Sequence, residues 1–308
     1  MVNLKAILLW RKFARKFNSK GIFWEMNPKP FPILIISGYT RSGTTYLGKI
    51  LSSILKARYL NEPLNPTIVK EIAFFHPREA AKIILNNERH IDALKFVFGP
   101  NFKCNNDAID QGHGFFYKDR IIKIIRANFY LDFLSKILSE AKFCIIIRNP
   151  ASAIASRIKK GWDIPDHSKC LIDILPELTL EQRATIKELE SIYEKLALSW
   201  CLDNFMALKN LSNKNFKFIF YEHLILDPFI QIKQIIEFMG KKVPDKKIIH
   251  EIKIYNLDAP RKTEQLIKGW EGVLKEEQLG EIIKIVDVFS LSHLYDFYKG
   301  LPKVQNLQ

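Results

Sequence analysis

The chain has 308 residues, 47% hydrophobic and 26% charged, with a formal net charge of +14 at pH 7. That balance suits a globular protein with a sizeable core, and no apolar run approaches the length of a membrane span. The excess of cations points to an anionic ligand or acceptor, a nucleic acid or a membrane surface, and says nothing about fold.

Residues 1–25 contain no acid before Glu25. On a helical wheel Lys5, Arg11, Lys12, Arg15 and Lys16 gather on one side, with Leu9, Trp10, Phe13 and Phe17 largely opposite. Two readings of this basic amphipathic segment stand: a peripheral helix on an anionic membrane surface, or a terminal helix whose aromatic face packs on the domain expected over 26–308. Ala6 to Trp10 is too short for a signal-peptide core and basic residues follow it, so a cytoplasmic protein is expected, membrane-peripheral in the first reading.

Phe31 to Ile36 is an unbroken apolar run of strand length, and Leu47, Ile50, Leu51 and Ile54 form the stripe of an amphipathic helix. Between them lies Ser37-Gly38-Tyr39-Thr40-Arg41-Ser42-Gly43-Thr44-Thr45. A strand, a tight polar turn and a helix N-terminus make an anion site from free N–H groups and the helix dipole. The G-x-x-x-x-G spacing of Gly38 and Gly43 nearly matches a nucleotide-binding P-loop, but Thr44 stands where that motif carries lysine. The loop's own cation is Arg41.

Ala57 to Leu60 reads as a short strand, followed by a proline-bracketed loop carrying Glu62. Residues 67–98 read as helical with a break at His76-Pro77, and Gly99 to Gly114 as a long loop containing His113. Phe115 to Tyr117 is a strand candidate ending in Lys118-Asp119, and 121–139 carries the periodicity of a helix. Phe143 to Ile147 is a second buried strand, closed by Arg148-Asn149-Pro150, a cap-plus-proline helix start with Ser156 one to two turns further on. Residues 163–177 are mixed and proline-bounded, the composition of a lid. Thr179 to Gln182 has capping-box spacing and opens a long helix through Leu189, Ile192, Leu196 and Trp200. Phe216 to Tyr221 is a third strand, Asp227-Pro228 starts another helix, and Leu274 to Tyr298 reads as a terminal one. Alternating strands and helices predict an α/β fold of three layers, a mainly parallel sheet with helices on both faces. Cys104, Cys144, Cys170 and Cys201 are scattered without C-x-x-C spacing, as buried free thiols in a reducing compartment would be.

Two phosphate-competent turns fit a ligand that is anionic at both ends, with Arg41, Thr44 and Thr45 at one turn and Arg148 and Ser156 at the other. Arg41-Ser42-Gly43-Thr44-Thr45 resembles the 5′-phosphosulfate loop of sulfotransferases that use 3′-phosphoadenosine-5′-phosphosulfate (PAPS). Arg148-Asn149-Pro150 with Ser156 is similar to their 3′-phosphate motif, with Asn149 in place of the usual Asp. Tyr221-Glu222-His223-Leu224 looks like a further segment near the nucleotide, and Lys268-Gly269-Trp270 like the region closing over it. The resemblance implies a P-loop-like fold and a cofactor site of Thr40, Arg41, Ser42, Gly43, Thr44, Thr45, Arg148, Ser156, Tyr221 and Lys268.

Within the family, the Arg-Ser-Gly-Thr loop followed by Glu-Pro looks like the carbohydrate and tyrosylprotein branch. Glu62 stands 21 residues after Arg41, where the tyrosylprotein enzymes have their catalytic glutamate, and Lys118-Asp119 resembles the Lys-Asp-Pro of those enzymes with Arg120 replacing the proline. The resemblance implies in-line attack of an acceptor hydroxyl on sulfur, Glu62 taking the proton and Lys118 neutralising the leaving oxygen with the help of Arg41 and the loop N–H groups. His113 is the reserve base. Three tryptophans, 162, 200 and 270, offer either sugar-stacking faces or core packing, and a saccharide acceptor is expected. No metal is expected, because the run to Ile147 ends in Arg148 where a P-loop kinase would place a magnesium-binding aspartate. A kinase is the alternative. A nucleic-acid-binding protein ranks last, since only residues 1–20 mix cations with aromatics. The Ile-, Lys- and Asn-rich composition suggests a bacterial source.

Overall fold

A computed structural model describes residues 4–18, 20–26, 32–75, 87–161, 178–258, 263–304 and 307. The segment 163–177 with its expected lid character, the break at His76-Pro77, Trp162 and Cys170 lie outside the described residues.

Among the described residues five parallel strands form the central sheet: β2 (Leu34–Gly38), β3 (Ala57–Asn61), β5 (Asp119–Lys123), β6 (Lys142–Ile147) and β7 (Phe216–Phe220), in the order β3-β5-β2-β6-β7. The two-residue strands β1 (Trp24–Glu25) and β4 (Phe116–Tyr117) pair separately, as do β8 (Tyr295–Asp296) and β9 (Leu301–Pro302). Continuous apolar strands are buried on both faces, and alternate residues serve opposite cores. Ile35, Ile122, Phe143, Ile145 and Ile147 point into one core, and Leu34, Ile36, Ile121, Cys144 and Ile146 into the other.

The helices, in chain order, are α1 (Leu4–Asn18), α2 (Thr44–Leu55), α3 (Glu88–Phe98), α4 (Leu131–Ile137), α5 (Pro150–Ile158), α6 (Leu180–Lys187), α7 (Ile192–Leu208), α8 (Tyr221–Leu226), α9 (Pro228–Phe238), α10 (Asp245–Asp258), α11 (Thr263–Ile267) and α12 (Glu276–Val288). Residues of α2, α9 and α10 cover one face of the sheet, and those of α4, α5, α7 and α12 the other. This is a P-loop-like α/β fold.

Several sequence expectations change. Residues 119–123 are strand β5, flanked by β2 and β3, rather than the start of a helix. Ile121 and Ile122 are β-branched and gain burial on both faces, which overrides the helical spacing. The helix expected from Thr179 stops at Lys187 because a second capping box, Ser191 with Glu194, starts α7 afresh. The terminal helix ends at Val288, and the chain then forms the β8–β9 hairpin. Tyr221 opens α8 rather than closing β7. Cys104, Cys144 and Cys201 are free, and burial pushes the Cys144 thiol up to about 12.

The N-terminal helix also departs from its wheel. Its docked residues are Arg11, Ala14 and Asn18, whereas Leu9, Trp10 and Phe13 remain exposed. Arg11 donates to Ser53 Oγ and Glu251 Oε2, both at 2.9 Å, and lies 4.9 Å over the Tyr255 ring. A cation thus anchors this helix because the domain offers it a carboxylate and an aromatic face. Among the described residues no helix is long and apolar enough to cross a membrane.

Candidate active site

In a parallel sheet the turns that follow the carboxyl ends of the strands share one edge. Here β2 delivers residues 39–43, β3 delivers Glu62, β5 ends in Lys123 and β6 delivers Arg148. The first turn is bent by two left-handed residues, Arg41 (φ 69°) and Gly43 (φ 84°). A Cβ on Gly43 would lie 2.5 Å from the Tyr221 ring, so glycine lets Tyr221 pack directly against the loop. Gly38 has φ 149° and approaches Ile146 O so closely that a Cβ would sit 2.3 Å from it. That contact draws the loop against β6.

No side chain caps α2, and no acid stands in its first turn, so its N-terminal N–H groups are open to an anion. Ser42 and Thr44 are buried, Thr40 is half-buried and Thr45 is exposed.

The structure joins the two turns directly. Arg41 Nε donates to Ser156 Oγ at 3.0 Å, and Arg148 Nη1 donates to Arg41 O at 2.7 Å. Arg148 Nη2 donates to Leu266 O at 2.8 Å, and its guanidinium lies 4.3 Å over the Tyr221 ring. Ser152 Oγ donates to Ile267 O, so the end of α11 is fastened to the second turn. This carries the segment with Lys268, a half-buried residue paired with Glu271 at 3.1 Å, onto the same edge. Ser42 Oγ and Arg148 Nε are buried without a hydrogen-bond partner among the described residues. Buried orphans of this kind are expensive unless something fills them, and both can donate to an anion.

Beneath Arg148 lies a support of which the sequence showed only the Asn149 cap. Asn149 caps α5 by accepting from Ser152 N at 3.1 Å. The Asn149 N–H donates to Glu222 Oε1, and the Tyr295 hydroxyl donates to Glu222 Oε2, each at 2.9 Å. Trp200 is fully buried and donates its indole N–H to Arg148 O at 2.9 Å. Trp200 is therefore core with a positioning bond, and its face is not open to a sugar. Trp270 is partly buried and packs against the core. Burial pushes the Glu222 carboxyl up to about 7, against the Asn149 N–H and Arg148, which hold it down.

The folded state thus binds the Glu222 proton more tightly than the unfolded chain. Its stability contribution is full below about 4.5 and is lost as pH rises to about 7. Relative to the wild type, Glu222→Gln should gain thermal stability as pH rises across that window. A pH-independent difference in melting temperature would contradict this assignment.

Glu62 is itself left-handed (φ 57°) and 7% exposed. Its Oε1 accepts from Lys123 Nζ at 2.6 Å and from Ile125 N at 2.9 Å, and its Oε2 accepts from Arg126 Nη1 at 3.3 Å. The register places Lys123 opposite Asn61 on one side and Ile36 on the other, beside the first turn. The sequence hid Lys123 inside a stretch with helical spacing. Its signal was the Ile121-Ile122 pair preceding it.

Two expected residues are not brought to this edge. Lys118 is exposed and precedes β5, and its N–H donates to Lys56 O beyond the far end of α2. A five-residue strand places it about 17 Å from Lys123's end of the sheet. His113 is at that far end too, where its Nε2 meets the Tyr255 hydroxyl at 3.1 Å. Burial, then Arg11, Lys49 and Arg15, push its imidazole down to about 3, so it is neutral at any ordinary pH.

A parallel-sheet edge carrying two linked, cationic turns is the layout of a P-loop-like group-transfer enzyme. A model of the sulfotransferase domain matches residues 32–279, well over half of the chain, and the chain belongs to the PAPS-dependent sulfotransferase family. No curated protein matches it. Among solved structures, mouse sulfotransferase SULT7A1 complexed with PAP is 14% identical at TM-score 0.47, covering 94% of this chain and 96% of that one. The sulfotransferase domain from the curacin biosynthetic pathway is 14% identical at TM-score 0.47, covering 84% and 98%. Retinol dehydratase in a complex with retinol and PAP is 16% identical at TM-score 0.46, covering 89% and 85%.

Proposed function

We propose that this enzyme moves the sulfuryl group of PAPS to an acceptor hydroxyl, and that the acceptor is a saccharide. The observation that carries the reaction is the direct bonding of the two turns, Arg148 to Arg41 O and Arg41 to Ser156. One continuous donor surface then serves a ligand anionic at both ends. The orphaned Ser42 Oγ and Arg148 Nε fit that ligand. When bound, PAPS supplies an electrophilic sulfur and leaves as 3′,5′-adenosine diphosphate.

Around it, the α2 N-terminus with Arg41, Ser42, Gly43, Thr44 and Thr45 would hold the 5′ group, Thr40 flanking it. Arg148 and Ser156 would hold the 3′ phosphate, with Tyr221 and Lys268 at the border. Glu62 is the base we assign. Its Oε1 is held by two short contacts, while Oε2 has one longer contact and is the oxygen able to take the acceptor proton. The cation we assign to the developing negative charge is Lys123, in the place sequence reasoning gave to Lys118. The paired cations also fix the carboxylate, as a positioned base requires.

The saccharide acceptor rests on the likeness of the Arg-Ser-Gly-Thr loop with its following Glu-Pro to the carbohydrate and tyrosylprotein sulfotransferases. One solved relative, retinol dehydratase, is in a complex with retinol, so a lipophilic alcohol is the competing class. Transfer of labelled sulfate from PAPS to a panel of oligosaccharides, phenols and sterols tests this. Label on oligosaccharides is expected; label confined to the apolar alcohols would replace the saccharide assignment.

A further inference from the structure

At the far end of α2, about 18 Å from the phosphate turn, the surface is unlike that of an ordinary soluble face. Leu9, Trp10, Phe13, Trp24, Met26 and Phe116 are each 46–67% exposed. They form one patch. Trp10 lies 5.9 Å from Phe13, Trp24 stacks on Phe116 at 5.4 Å, and Trp10 and Phe116 both line a cavity of about 540 Å³. Large exposed apolar patches mark an interaction surface.

The charge around the patch is one-sided. Lys12, Lys16 and Lys20 are exposed on the same segment. The neighbouring carboxylates are engaged: Glu25 pairs with Arg58 and Arg120, Glu251 with Arg11, and Asp107 with Arg15. We propose that this face docks on an anionic lipid bilayer, with the aromatic and aliphatic side chains entering the headgroup boundary and the lysines meeting lipid phosphates.

Such an interface combines amphipathic tryptophan, aliphatic side chains and flanking lysine. A second copy of the chain fits poorly, because a two-fold contact would bring both sets of lysines together. Nucleic acid also fits poorly. Base stacking needs open aromatic faces, whereas Trp24 and Phe116 cover each other at 20°. Docking would leave the carboxyl edge of the sheet facing away from the bilayer, so the candidate active site stays open to an acceptor from solution or from a long headgroup.

The test is co-sedimentation of the purified chain with phosphatidylcholine vesicles with and without phosphatidylglycerol, alongside tryptophan emission. Binding confined to the anionic vesicles, weakened by salt, with a blue shift, is expected. Combined Trp10→Ser, Trp24→Ser and Phe116→Ser should lower partitioning at least about tenfold, and Lys12→Gln, Lys16→Gln and Lys20→Gln should remove the preference for anionic lipid. Both variants should keep nucleotide-induced thermal stabilisation, which shows that they fold. No wild-type binding, equal binding to neutral vesicles, or undiminished binding by the aromatic variant would overturn the proposal. So would single-stranded DNA binding lost in the aromatic variant without vesicle binding by the wild type.

Discussion

Replacing Glu62 by glutamine should lower turnover by about 10²–10⁴-fold and leave stabilisation by 3′,5′-adenosine diphosphate unchanged. Glutamine keeps the shape of the side chain, and its amide oxygen can still accept the Ile125 N–H that now reaches Oε1. What disappears is an oxygen able to take a proton. The loss should therefore fall on kcat, with the acceptor KM little altered. Lys123 and Arg126 lose their counter-charge in this variant, so a small fall in melting temperature is also expected. Single-turnover sulfuryl transfer measures the effect. Full activity would remove Glu62 as the base, and the position of His113 at the opposite end of α2 leaves it unable to substitute.

Arg148→Ala should have the largest effect on nucleotide binding. The guanidinium reaches two carbonyls, Arg41 O and Leu266 O, and lies over the Tyr221 ring. Its removal takes away a cation and loosens both the first turn and the α11 segment. Truncating a buried, hydrogen-bonded charge costs about 2–5 kcal/mol, which is a loss of at least about thirtyfold in affinity. Arg148→Lys separates the two contributions. It keeps the charge but cannot bridge two carbonyls in one plane, so an intermediate affinity is expected by calorimetry. Wild-type affinity in both variants would contradict the role of this turn.

Much of the edge was legible in the sequence because it is locally encoded. The β2 turn and the β6 turn each announce themselves through an apolar run, a cation and a helix start within a few residues. Asn149 with Pro150 caps its helix as the pattern implies. Glu62 lies beyond β3 on its proline-bracketed loop, at the same edge. What the sequence hid depends on pairing across the chain. Lys123 became visible only once β5 was placed between β3 and β2, since isoleucines at helical spacing outweighed the one local sign of a strand, the adjacent Ile121 and Ile122. Lys118 and Lys123 flank the same short strand, and direction along it decides which reaches the site. Glu222 and Trp200 act on Arg148 and Asn149 from 52 to 73 residues away. No local spacing reports such contacts. The reading in which the aromatic face of the N-terminal helix packs on the domain failed for a related reason: a helix docks where partners exist, and Glu251 with Tyr255 made Arg11 the anchor.

The central claim is that two linked turns bind a nucleotide anionic at both its 3′ and 5′ ends. Ligand-dependent melting of the purified chain, with a chelator in the 3′,5′-adenosine diphosphate arm and none in the Mg-ATP arm, tests it most directly. Saturating 3′,5′-adenosine diphosphate should stabilise the fold by about 3–4 kcal/mol at 100–1,000 times its dissociation constant, while Mg-ATP should leave the melting temperature unchanged. Stabilisation by Mg-ATP and none by 3′,5′-adenosine diphosphate would contradict the account and favour a P-loop kinase.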